Sequence, residues 1–397
     1  MNTETDLNTR LTLEADTFFR NGGTELDLSQ VLNRAGEIRR GRRMRATMLM
    51  AACVLAIAAP TALVVTNRHV TTQPQPTQHG RVDESPLALG DLPVGDSPHH
   101  GFSEDGTWQL RVAANGLGGL RGQVAAAAAV KDGAMVAMRR ESGEMTAYFI
   151  YEQGGVSEQS WPMESGSAFA VSDGGNVAAF VEPDGTVVAV QDRGTQSFEL
   201  GTIPRGTGFT AVAVDYEDCS EGAACNVYAA TRGGEPETYL LQPGTTPKAL
   251  SPALAHTTDV SSGRFAGFTS ISDTGSCSAV RDAKLTTLWK SCDHRLLAFS
   301  PDGKHLLASG AYGDGMGDGE LAVLDSDNGK VVLDLKTAAE GVLTQMVWED
   351  DEHLLAVMHQ PGRWAVLRIG LDGSREYAVE PVKAEDDTAS PFVLPTL

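Results

Sequence analysis

Few residues in this chain combine the type and the spacing that chemistry needs. The densest candidate is the stretch from Gly310 to Glu320, GAYGDGMGDGE, where Asp314, Asp318 and Glu320 offer the hard carboxylate oxygens that calcium takes. Their spacing does not follow the EF-hand loop, and the glycines read first as a flexible hairpin between two strands, so no metal is assigned. His99 and His100 are adjacent, and adjacent residues of a strand point to opposite sides, which separates them as ligands. His305, His353 and His359 read as loop or strand-surface residues. Gly329-Lys330 lacks both the leading glycine and the following Ser or Thr of a phosphate loop, and neither G-x-S-x-G nor H-E-x-x-H occurs. The expectation is therefore no catalytic residue, no cofactor and no binding residue that sequence alone singles out.

Five cysteines are present, and four of them, Cys219, Cys225, Cys277 and Cys292, lie in the C-terminal two thirds. An even count in an oxidising compartment fits two disulfides. Of the three connectivities, local pairing of Cys219 with Cys225 and Cys277 with Cys292 is preferred, and reduced buried thiols are the alternative. No C-x-x-C occurs, so zinc and redox motifs have no support.

The compartment follows from the fifth cysteine's surroundings. Cys53 lies within Ala46–Thr66, a stretch without a charged residue and long enough for a membrane-spanning helix. Just before it come Arg34, Arg39, Arg40, Arg42, Arg43 and Arg45 against Glu37. Basic flanks stay cytoplasmic, so residues 1–45 are expected inside and the remainder outside, in an extracellular position. A cleaved signal peptide is the alternative; it would need a shorter basic region. Within residues 1–45, Leu28, Val31, Leu32, Ala35 and Ile38 share one helical face, which reads as a juxtamembrane amphipathic helix and a possible docking point for a cytoplasmic partner. Residues 67–85 are rich in Thr, Gln and Pro and read as a linker.

Residues 67–397 carry the acidity: 23 basic and 45 acidic side chains, a net charge of -22. Nucleic-acid binding needs a basic footprint and is excluded on that ground. The chain from residue 86 to 397 is expected to be one all-β domain. Short alternating runs such as Thr186-Val187-Val188-Ala189-Val190 are punctuated by Asp-Gly pairs, among them Asp132-Gly133, Asp184-Gly185 and Asp302-Gly303. Turns near Asp132, Asp173, Asp218, Ser262, Asp302 and Asp350 recur at roughly 40 to 49 residues, the period of a four-stranded propeller blade. Six repeats cover about residues 124–382, with residues 86–122 and Pro391-Phe392-Val393-Leu394 left over. A closed ring must join its ends, so seven blades with PFVL as the sealing strand is preferred. Six blades, and a pair of β-sandwiches, are the alternatives.

The repeat LAFSPDGKHLLAS, residues 297–309, resembles the blade motif of TolB-type propellers, which are similar to WD-repeat propellers, although the Gly-His and Trp-Asp signatures are missing. The layout of arginine-rich stub, single span and propeller resembles single-pass membrane proteins of actinobacteria. That resemblance implies a binding platform for a protein, peptide, glycan or envelope ligand, with no site residue to carry over. A propeller-based hydrolase or lyase, and a signalling regulator acting through residues 1–45, are the rival readings. Reduction of the disulfides is expected to lower the melting temperature; labelling of all four outer cysteines as free thiols in native protein from an oxidising compartment is the contrary result.

Overall fold

A computed structural model describes residues 81–82, 85–104, 107–109, 122–204, 208–232, 235–313 and 317–397. The expected span at 46–66 and the cytoplasmic helix lie outside these residues. Among the described residues, no helix is long and apolar enough to cross a membrane.

The described chain is an all-β propeller. Six antiparallel four-stranded sheets follow one another along the sequence: blade 1 over residues 123–163, blade 2 over 170–202, blade 3 over 209–249, blade 4 over 257–291, blade 5 over 294–336 and blade 6 over 342–383. In each, strands pair in chain order, and from blade 1 to blade 5 the first strands of neighbouring blades lie against one another. The six recurring turn signals all fall between the first and second strand of a blade. The preferred count of seven full blades is not what forms: among the described residues the two terminal pieces give a three-stranded sheet, made of Phe102–Glu104, Thr107–Gln109 and Phe392–Val393. A blade needs about 40 residues, and the described stretch 86–100 is spent elsewhere.

That stretch runs instead as an extended strap along blades 5 and 6. Arg81–Val82 pairs in parallel with Leu333 and Asp334 on the outer strand of blade 5, inside the stretch read as linker. Leu87 and Leu89 are buried in the apolar seam between blades 5 and 6. The Leu87 amide donates to the Lys336 carbonyl, and the Tyr377 hydroxyl donates to the Gly90 carbonyl. Arg368, buried at 7 % exposure, fixes the end of the strap: it donates to the Asp96 and Ser97 carbonyls while holding the Glu349 carboxylate at 2.8 Å and reaching Glu376. The hydrogen bonds and charge of Arg368 hold the Glu349 carboxyl below its usual value against the opposing effect of burial.

Turn chemistry follows local sterics. At Asp302-Gly303 the glycine takes the positive φ, 69°, and a Cβ there would meet Ser261 Oγ at 2.8 Å. At Asp132-Gly133 the aspartate takes it, φ 66°, and the glycine serves close approach instead, since a Cβ on Gly133 would lie 2.0 Å from the Ile150 carbonyl oxygen. The disulfides join Cys219 to Cys225 across the enlarged turn of blade 3, and Cys277 to Cys292 beside the fourth strand of blade 4.

The C-terminal segment closes the circle. Phe392–Val393 pairs with Phe102–Glu104, Leu394 exchanges hydrogen bonds with the Gln345 side chain of blade 6, and Thr396 pairs with Ala128 of blade 1. Phe392 and Leu394 are buried against Val347, Val357 and Trp364. Leu394→Ala is expected to cost about 2–5 kcal/mol in denaturant unfolding, as core leucine truncations do; a loss under 1 kcal/mol would show that this segment does not seal the ring.

Candidate functional site at the propeller axis

Innermost strands run closest together at the axis, so side chains at their ends converge from different blades. Four acidic residues meet this way. Asp173 and Glu217 lie in the first turns of blades 2 and 3, Asp215 ends the first strand of blade 3, and Asp259 sits in the first strand of blade 4. Asp173 and Asp259 line a cavity of about 110 Å³ together with Phe299, Trp348, Thr396 and Leu397. The walls thus come from blades 2, 4, 5 and 6 and from the chain's last residues.

The four carboxylates are not equivalent. Glu217 is committed to structure: it accepts from Ser172 Oγ at 2.8 Å, the Gly174 amide at 2.7 Å and the Asn176 amide at 3.2 Å, tying the turn of blade 2 to that of blade 3. Asp215 accepts from the Tyr228 hydroxyl at 3.0 Å. Burial pushes the Asp215 carboxyl up, partly offset by the Tyr228 and Asn226 hydrogen bonds. Burial also pushes Asp173 up, and the charges of Asp215 and Glu217 add to it.

Asp259 is the most perturbed. A bulge between Thr257 and Asp259 turns its side chain towards the Val260 and Phe299 amides, both of which donate to it at 2.7 Å. Burial outweighs these two donors and, with Asp173 and Asp215 nearby, moves its carboxyl to about 7. In the same wall, Ser261 Oγ is buried without a hydrogen-bond partner. The site therefore offers a cluster of negative charge, one carboxyl that changes state near neutrality, and a hydroxyl free to bond a ligand. Such chemistry suits a cationic group.

The residues singled out from sequence go elsewhere. Asp318 is held by Arg295, Glu320 lies 3.5 Å from His294, and Asp314 is outside the described residues, so Asp318 and Glu320 are not brought together as one calcium cage. His99 and His100 both border Glu349: the His99 amide donates to it at 2.8 Å, and burial, with His99 beside it, lowers the pKa of His100. His353 and His359 pair with Asp350 and Asp387, each at 3.0 Å. Asp302 of the PDG turn accepts from Ser300 Oγ and the Lys304 amide and ammonium; against the effect of burial, the Lys304 contacts hold it down at about 2. Its role is to shape the turn. Asp259 and Asp215 were missed because each sits in an ordinary alternating strand; only the first-strand position common to the repeats marks them as axial.

No family description matches the chain, and no curated protein does. Solved structures do. The Cps50 (Swd1) β-propeller domain of Myceliophteria thermophila superposes with a TM-score of 0.46 at 12% identity, covering 67% of this chain and 88% of that one. YCF48 bound to D1 peptide gives 0.42 at 14% identity, covering 72% and 87%. The dihydro-heme d1 dehydrogenase NirN in complex with DHE gives 0.42 at 15% identity, covering 75% and 78%. These likenesses concern the β-propeller fold.

The raised carboxyl of Asp259 sets a pH dependence. Between the unfolded carboxyl's value near 4 and about 7, the native state holds a proton that the unfolded state has lost, so stability falls as pH rises through that window. Asp259→Asn is expected to flatten this slope, by up to about 1.4 kcal/mol per pH unit for one proton. His100 and His256, whose pKa burial lowers, act in the opposite sense in both proteins, so the difference between them isolates Asp259. Parallel stability curves for the two proteins from pH 4 to 8 would contradict the assignment.

Proposed function

We propose that this protein is a membrane-anchored, extracytoplasmic, non-enzymatic binding module whose propeller takes a cationic segment of a protein or peptide at the axial mouth. The observation that carries the reading is the convergence of Asp173 and Asp259 from two blades on one small cavity, with Asp215 of a third blade close enough to act on both by its charge. A Lys or Arg side chain entering it would supply the charge that burial has left uncompensated, and would keep Asp259 ionised. Ser261 Oγ would gain the partner it lacks. The net charge of -22 over residues 67–397 would draw a basic partner from a distance.

Anchoring rests on the uncharged stretch 46–66 and its arginine flank, and the outer placement on the four cysteines beyond it. Fluorescence anisotropy with an oligolysine and an oligoglutamate peptide is the test. The expected result is oligolysine binding that weakens with salt and falls in Asp173→Asn and Asp215→Asn, with none to oligoglutamate. Equal affinity for both peptides, or lysine binding that ignores the two substitutions, would reject the axial site.

A further inference from the structure

Blade 5 carries a histidine and two carboxylates that neither the ring nor the axial mouth uses. His294 opens its first strand, Glu320 opens its third, and Asp334 lies in its fourth. Strand register assembles them. His294 pairs with Gly310; the pairing of Ser309 with Leu321 puts Gly310 beside Glu320; and Asp334 pairs with Ala322, two residues beyond Glu320 and on the same face. Gly310 leaves the space between His294 and Glu320 open, since it has no side chain to stand there; a Cβ would come 3.6 Å from Glu320 Oε2. Across that gap His294 Nε2 lies 3.5 Å from Glu320 Oε1, and one ligand atom from each of the three residues lies within 4.8 Å of the others.

Two further observations point to a missing positive charge. Asp334 Oδ1 is buried and has no hydrogen-bond donor, an arrangement that desolvation makes costly. Burial and the neighbouring Asp334 both push the Glu320 carboxyl up, with Asp293 adding to them and His294 and Lys336 opposing. The Arg295 guanidinium does not relieve the pair, because it is turned to Asp318 and to Ser309 Oγ. His294 itself is buried, and it follows Cys292, whose disulfide to Cys277 ties this segment to blade 4 with Cα atoms 4.0 Å apart.

We propose that His294, Glu320 and Asp334 form a site for a divalent first-row transition ion, with Zn²⁺ as its fitting occupant. One imidazole and two carboxylates are a borderline donor set, which suits zinc better than calcium with its 6–8 oxygen ligands. With bonds of about 2.0–2.2 Å, the ligand atoms of a tetrahedron stand about 3.4 Å apart; His294 and Glu320 already lie 3.5 Å apart, and Asp334 would close in to complete the set. The fourth position falls to water or to a donor brought by a ligand. The ion would join the first, third and fourth strands of the blade at the end where the 310–320 loop leaves it. The inference stands on blade 5 alone and is independent of the axial reading.

The test is calorimetric titration of the chelator-treated full-length chain with Zn²⁺, repeated with Co²⁺ while visible absorption is recorded. One Zn²⁺ per chain is expected at this site, with tetrahedral Co²⁺ bands and a rise in Tm on adding Zn²⁺. Glu320→Gln and Asp334→Asn preserve shape, and each is expected to weaken binding by more than the roughly 10–100-fold that loss of an outer-shell partner costs. A variant carrying His99→Gln and His100→Gln is expected to bind as the parent does. Absence of Co²⁺ bands in the native protein, or Zn²⁺ affinity unchanged in Glu320→Gln and Asp334→Asn but lost in the His99 and His100 variant, would overturn the proposal.

Discussion

The pairing of Phe392–Val393 with Phe102–Glu104 is the contact on which the rest of this structure depends. A blade is apolar on both faces and can be stable only between two neighbours. Five seams between the six blades are formed by sequence neighbours, with short connections. The remaining faces, on blades 1 and 6, are covered by residues nearly 290 positions apart. Phe392 and Leu394 pack against blade 6, Val393 against blade 1, and Thr396 extends the junction by pairing with Ala128. The external strap from Arg81 to His100 reinforces the same region, crossing the seam between blades 5 and 6 before reaching the terminal sheet.

Closure has an electrostatic consequence. Bringing innermost strands together around an axis also brings together whatever they and their first turns carry, and here they carry Asp173, Asp215 and Asp259. Hydrogen bonds from backbone amides and Tyr228 offset part of the cost. The remainder appears as carboxyls pushed above their ordinary values. Blade 5 concentrates charge by a different route: pairing across a single sheet sets His294, Glu320 and Asp334 around a glycine. The two sites differ in what they suit. The axial one is a small cavity walled by several blades, with room for a single side chain. The other is compact and lies within one sheet, as an ion site requires.

Much of the fold was legible because its period is imposed by local chemistry. All six recurring turn signals mark the same turn, between the first and second strands of a blade, since that is where the chain must reverse tightly. Local pairing of the cysteines was legible for a similar reason, the partners being 6 and 15 residues apart. The terminal blade was over-read. Residues 86–100 contain apolar residues at Leu87, Leu89 and Leu92 that look like strand material, yet Leu87 and Leu89 are buried, and Leu92 partly so, against blades 5 and 6 as an extended strap. A hydrophobic pattern records that a side chain is buried and leaves open which surface covers it.

Sequence by itself determined the β class, the repeat, the turns, the charge and the position of the uncharged stretch at 46–66, because each depends on residues close together in the chain. Only the tertiary structure decided which acids share an axis, that Arg368 holds the strap through Glu349, and that Glu320 faces His294 and Asp334 while Asp318 faces Arg295. Those groupings depend on strand register and on ring closure. A one-residue change in register turns a side chain to the opposite face, and no periodicity in a single strand records which residue will stand across from it.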